Sequence, residues 1–193
     1  MTEANTRPPA KTHAEDFLRH LMAIAETDRG ALAALRRSLS FEPGCYPAAF
    51  PSVERFVGPE RHALDPFRKA LYLVAGLFAR HPAQRTGQSL AAAFGQMRLQ
   101  RDSASIEKRF VALLSADPDS LPDHLRQAVS LLAADGIPLD YGRLLNDLAR
   151  WLDPHAHEKL DDIRQRWARD FYRALTPREN ADDTQDQLNP ISD

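Results

Sequence analysis

The chain has 193 residues, 43% of them apolar, with 8 Gly, 14 Pro and one cysteine, Cys45. That length buries a core without staples, a lone cysteine excludes an internal disulfide and points to a reducing, cytoplasmic setting, and no apolar run approaches the ~18 residues of a membrane span. The formal net charge is −2, but it is unevenly spread: from Thr176 to Asp193 one base, Arg178, stands against five acids, so residues 1–175 are mildly basic. Any anion site must therefore come from local clustering.

Residues 1–12 are polar and contain Pro8-Pro9, which predicts a flexible arm with no apolar signal segment. Thr12 and Glu15 have capping-box spacing, and Phe17, Leu21 and Ile24 then recur at helical intervals. Asp28 opens a second helix carrying Leu32, Leu35 and Leu39. Three prolines and a glycine make residues 40–51 a loop, followed by a short helix from Ser52 to Val57. Asp65-Pro66 reads as N-cap and first helical position ahead of Phe67, Leu71, Val74 and Phe78, and His81-Pro82 ends that helix. After a polar loop ending at Gly87 come helices bearing Leu90, Phe94 and Met97, then Ile106, Phe110, Leu113 and Leu114. Ser120 caps the next, with Leu125, Val129 and Leu132 inward, and Asp135-Gly136 closes it. Pro138 and Asp140 introduce Leu144, Leu145, Leu148 and Trp151; the last helix presents Leu160, Ile163, Trp167 and Phe171. Nothing alternates with a period of two for long enough to make a sheet.

The expected fold is all-α: a compact bundle of eight or nine short helices over residues 13–175, in one body or two small lobes, followed by an acidic, disordered tail over residues 176–193. Trp151, Trp167 and Phe171 sit at core positions. Arg143 and Asp147, four apart, read as a surface pair, as do Asp162, Arg166 and Asp170 along the last helix. Enzyme chemistry is not indicated. His155 and His157 point to different faces of a helix, Cys45 lacks an activating neighbourhood, and the sequence holds no phosphate-cradling glycine loop. No catalytic residue, metal or cofactor is expected.

Residues 80–110 hold six bases, Arg98, Arg101, Lys108 and Arg109 among them, against two acids. The helix end carrying Arg98 and Arg101 and the helix start carrying Lys108 and Arg109 gather four cations near one turn. Arg36 and Arg37 form a smaller cluster with Arg29, and Arg126 flanks inward Leu125. Taken alone, the cluster in residues 80–110 is better explained by a solvated face.

Three stretches in order carry a resemblance. The first runs from Gly87-Gln88-Ser89-Leu90 through Ser105-Ile106-Glu107-Lys108-Arg109-Phe110. The second runs from Leu121 to Leu132, then Gly136-Ile137-Pro138-Leu139-Asp140-Tyr141. The third joins Leu144-Leu145-Asn146-Asp147-Leu148 and Trp151 to Arg166-Trp167-Ala168-Arg169-Asp170-Phe171-Tyr172. Together they resemble the CasB-type small subunit of the type I-E CRISPR Cascade complex, over roughly residues 14–173. The chain departs from that pattern at Gln88, where a basic residue is common, and at Tyr141, where Trp is common. The resemblance implies a helical, non-catalytic subunit that grips crRNA, target DNA and displaced strand by their backbones, beside other Cascade subunits and a second copy of itself. It implies phosphate contacts for Arg36, Arg37, Arg98, Arg101, Lys108, Arg109 and Arg126. The competing expectation is a helical protein–protein adaptor without a nucleic-acid role.

Overall fold

The computed structural model describes residues 13–176. The expected N-terminal arm, residues 1–12, and the acidic tail past Thr176 lie outside the described residues.

Nine α-helices are present among the described residues: α1 (His13–Thr27), α2 (Arg29–Ser38), α3 (Phe50–Val53), α4 (Pro66–Arg80), α5 (Leu90–Arg101), α6 (Ala104–Leu114), α7 (Leu121–Ala134), α8 (Tyr141–Trp151) and α9 (His157–Leu175). Short 3-10 turns flank α3 at Pro47–Ala49 and Glu54–Phe56. No strand forms among these residues; one isolated parallel bridge joins Gln84 to Leu139. The all-α expectation holds.

Local chemistry sets many of the boundaries. The carboxylates of Asp28, Asp65 and Asp140 accept from the backbone N–H of Ala31, Arg68 and Arg143, satisfying one orphan donor at the start of α2, α4 and α8. Ser89 caps α5 through its hydroxyl, which accepts from Ala92 N. At α7 the structure differs from the expected Ser120 cap. Asp117, three residues earlier, accepts from the backbone N–H groups of Asp119 and Ser120 and from the Ser120 hydroxyl, which turns toward Asp117 and makes no cap bond to the helix. Gly136, at φ +64°, makes the left-handed turn that closes α7.

The centre of the molecule is α4, buried at every position from Ala70 to Ala79. A helix apolar all round must be enclosed, and α1, α2, α7 and α8 surround it. Buried apolar residues from all the long helices form one continuous cluster. The most intimate pair is α5 with α9, where Gly95 permits close approach: a Cβ there would lie 2.5 Å from Phe171 O and 2.7 Å from the Ala174 methyl. Phe110 stacks on Phe171 at 4.2 Å between ring centroids, and Trp151 meets Trp167 at 5.2 Å. Those aromatics, buried as expected, are core. Tyr141 is core as well. Its ring packs edge-on against Phe78, its hydroxyl donates to His81 O at 2.6 Å, and burial pushes its ionisation far up.

Two expected surface pairs do not form. Arg143 turns away from Asp147 to Asp170, at 2.7 Å. Asp147 is 3% exposed and is held by Arg166 and by the Trp167 indole N–H, at 2.7 Å for the latter. Asp170 also accepts from the Ser89 hydroxyl at 2.8 Å. The physical reason is packing between helices: α9 lies against both α5 and α8, so its charged side chains meet partners across the interface rather than along one helix. Asp162 takes no part in these pairs.

Candidate nucleic-acid interface

The cations expected to act together fall into two groups. Arg98 and Arg101, at the end of α5, are engaged with acids. Arg98 pairs with Asp102 at 3.1 Å, and Arg101 forks onto both oxygens of Asp135, with Nε at 2.7 Å. Asp102 is the only non-glycine residue with positive φ among the described residues; this left-handed cap turns its carboxylate back toward Arg98. The Asp135 contact holds the Arg101 guanidinium more firmly protonated than usual. That end of α5 is therefore close to neutral.

Arg37, Lys108 and Arg109 are different. All three are exposed and none makes an ion pair with the described residues. Arg109, on α6, faces Arg126 on α7 and Arg80 at the end of α4 across an open groove of about 470 Å³, completed by Gln127, Ser130 and Leu131. No acid lines this groove. Arg80 Nε donates to the Ser130 hydroxyl at 2.6 Å, which in turn donates to Arg126 O at 2.5 Å. These bonds fix the guanidinium stem at the groove wall. Arg126 makes one ion pair, with exposed Asp123 at 3.0 Å, a contact of little weight in water.

Arg36 extends the cluster. Its Nε donates to Ala79 O at 3.0 Å, which ties the end of α2 to the last turn of α4, next to Arg80. The contact places a cation at a helix C-terminus, where the macrodipole favours it. Arg80 was counted in the sequence as part of a basic stretch but was not singled out as a site residue. Its alignment with Arg109 and Arg126 depends on helix packing between segments 29 and 46 residues apart, which no local pattern carries.

Among the described residues, no three His, Cys, Asp or Glu side chains converge as a metal site would require. No helix of the described residues is long and apolar enough to cross a membrane. A cavity of about 990 Å³ lies between the loop before α5 and the end of α9, lined by Arg85, Gln88, Gln96, Asp170 and Arg173 among others. Gln88 spends its amide on Gln96 at 2.9 Å, and Asp170 is already held by Ser89 and Arg143. The described residues form an all-helical body with a cationic groove that no acid lines.

The comparisons place that body. The sequence profile of the CRISPR-associated protein Cse2 family matches residues 31–172, and the chain belongs to this family. It is 44% identical over 145 residues to the CRISPR-associated protein Cse2 of Thermus thermophilus, covering 75% of this chain and 79% of that protein. The crystal structure of M. ruber CasB superposes with a TM-score of 0.72 at 35% identity, over 86% of this chain and 95% of that one. A chain of a CRISPR RNA-guided surveillance complex superposes with a TM-score of 0.70 at 25% identity, over 84% and 93%.

Proposed function

We propose that this protein is a non-catalytic structural subunit of a type I-E CRISPR interference complex, Cascade, and that it holds nucleic acid by the backbone without reading sequence. The observation that carries the reading is the groove of Arg80, Arg109 and Arg126, lined by no acid. Family membership and the likeness to a chain of an RNA-guided surveillance complex support it. In guide-directed recognition base pairing reads the sequence, so a supporting subunit needs cations along a track and no base-reading code. crRNA, target DNA and the displaced strand all offer the phosphates such a track takes; the other Cascade subunits and a second copy of the chain are its protein partners. Arg36, Arg37 and Lys108 extend the track from the groove. Arg101 contributes less, because its charge is met by both oxygens of Asp135; the pair of Arg98 with exposed Asp102 is, like that of Arg126 with Asp123, of little weight in water.

The test is equilibrium binding of mixed-sequence single strands across a salt series. The parent should bind with a steep salt dependence. Replacing Arg80 and Arg109 together by Gln should weaken binding to unrelated sequences alike. It should also flatten the slope by roughly 1.4, two contacts at about −0.7 each on a single strand. Parent binding that ignores salt would sink the reading and leave the protein–protein adaptor in its place.

A further inference from the structure

Beside the cationic groove lies a second, smaller cavity of about 90 Å³ between α6 and α7. The two share Arg109, Gln127 and Leu131, so they are one continuous surface: a charged floor that opens into a slot. Phe94, Ala112, Ala128 and Leu131 make the slot's apolar walls, and His124 and Arg109 stand at its sides. Phe94 is almost fully buried, so its ring closes the bottom rather than covering the mouth. A slot with planar cationic and imidazole groups at the rim and hydrocarbon inside suits a flat, weakly polar ring. The neighbouring guanidinium groups suit the phosphate attached to such a ring.

We propose that this slot receives one pyrimidine base of a single strand whose phosphates lie on Arg80, Arg109 and Arg126. The inference rests on the backbone-gripping reading and adds a base subsite to it. Size selects the occupant. A cavity of about 150 Å³ encloses a benzene ring in other proteins. At about 90 Å³ the present slot admits one six-membered ring edge-first, with its far edge left in the groove; a fused purine would leave a larger share of its rings outside, so a pyrimidine fills the slot best. Charge selects it as well: an apolar side chain of a protein partner would fit the slot but would bring no anion to Arg80, Arg109 and Arg126 in the groove next to it. The polar groups at the slot are Arg109, His124 and Gln127; Arg109 and Gln127 are exposed side chains that can reorient toward different base edges, so thymine, uracil and cytosine should enter alike. A base held there supplies a stacking and burial contribution independent of salt, on top of the phosphate contacts that salt weakens.

The experiment compares an oligo-dT strand with an abasic strand of the same length and phosphate number, on the full chain. The parent should bind oligo-dT roughly tenfold more tightly, with the same salt slope for both, because the difference lies in the base and not in the phosphates. Ala112→Leu fills the slot from an exposed position of α6. It should bring oligo-dT down to the abasic affinity and leave the salt slope unchanged. A measurement that needs no variant is photo-crosslinking of a strand carrying 5-iodouracil, which should attach to α6 or α7 residues at the slot, His124 foremost. Equal affinity of the parent for both strands overturns the slot while the groove stands. So does discrimination that survives Ala112→Leu, or crosslinking confined to other helices. If neither strand binds in a salt-dependent way, the backbone grip itself fails and the slot falls with it.

Discussion

Two regions of this molecule use arginine in opposite ways. Where α9 packs against α5 and α8, Arg166 and Arg143 reach across the interface to Asp147 and Asp170, and the carboxylates are further held by Trp167 and Ser89. Those guanidinium groups are consumed by the fold. On the side where α4, α6 and α7 meet, Arg80, Arg109 and Arg126 border a groove with no acid in its lining, and Arg109 has no ionic partner among the described residues. The difference is burial of the counterion. A carboxylate taken out of water must be paired, so Asp147, at 3% exposure, fixes Arg166. A guanidinium left in water carries no such obligation and remains free for an external anion.

The largest expected effect breaks the first region and spares the second. Arg166→Ala strands a buried carboxylate and should cost about 3 kcal/mol, the low end for a buried pair because Arg166 itself is partly exposed. Arg109→Ala removes only a solvated cation and should change stability by less than about 0.5 kcal/mol. Urea unfolding of the two variants measures both, and equal losses would erase the contrast. Nucleic-acid binding should show the reverse order.

Next in size is a test of how tightly the first region is closed. Gly95→Ala would set a methyl 2.5 Å from Phe171 O. The obstacle is backbone, so α5 and α9 must separate. Overpacking of this kind costs about 1–3 kcal/mol, of which alanine's better helix propensity returns up to ~1 kcal/mol. A lower urea midpoint is expected, with the salt slope of nucleic-acid binding unchanged because the cationic groove lies elsewhere.

The same contrast explains what the sequence made legible. The N-caps at Asp28, Asp65 and Asp140 were readable because a cap depends on residues three apart in the chain. The buried stripes were readable for the same reason, down to Trp151, Trp167 and Phe171. The fates of the charges were not. Arg143 has Asp147 one helical turn away yet pairs with Asp170, and Asp147, expected on the surface, is interior. Arg101 is drawn to Asp135, 34 residues on. Clustering in the sequence placed Arg98, Arg101, Lys108 and Arg109 in one group; helix packing draws Arg101 away to Asp135 and adds Arg80 to Arg109 and Arg126, while Arg98 pairs locally with Asp102. Whether Arg101, Arg143 and Arg166 are spent is decided by which helix faces them, a long-range property that periodicity does not encode.

The smallest expected effect lies outside both regions, at His20, and it sharpens the rule about unpaired cations. Arg55 Nη2 donates to His20 Nδ1 at 2.7 Å, so the imidazole's own N–H is on Nε2 and donates to Ser52 O at 3.0 Å. Phe56 packs against the ring at 5.2 Å, and Arg55 in turn lies 4.8 Å from the Phe56 ring centre. Burial, then the nearby Arg55 charge, hold the imidazole's pKa below its ordinary value, opposed in part by the Ser52 carbonyl. Protonation would set two cations face to face and remove the acceptor that Arg55 uses. Below pH ~6.5, where an unfolded histidine takes up a proton, the native state resists doing so. Stability from this group is therefore fully present above about pH 6.5 and is lost as pH falls toward the lower folded value. Glu54 and Asp65, whose pKa values are also held down, act at more acidic pH. His20→Gln keeps an acceptor for Arg55 and a donor for Ser52 but cannot titrate. Melting temperatures at about pH 7.5 and pH 5.5 should differ less in this variant than in the parent, by a few degrees at most. An identical pH dependence in the two proteins would show that Arg55 has moved away and the imidazole protonates freely.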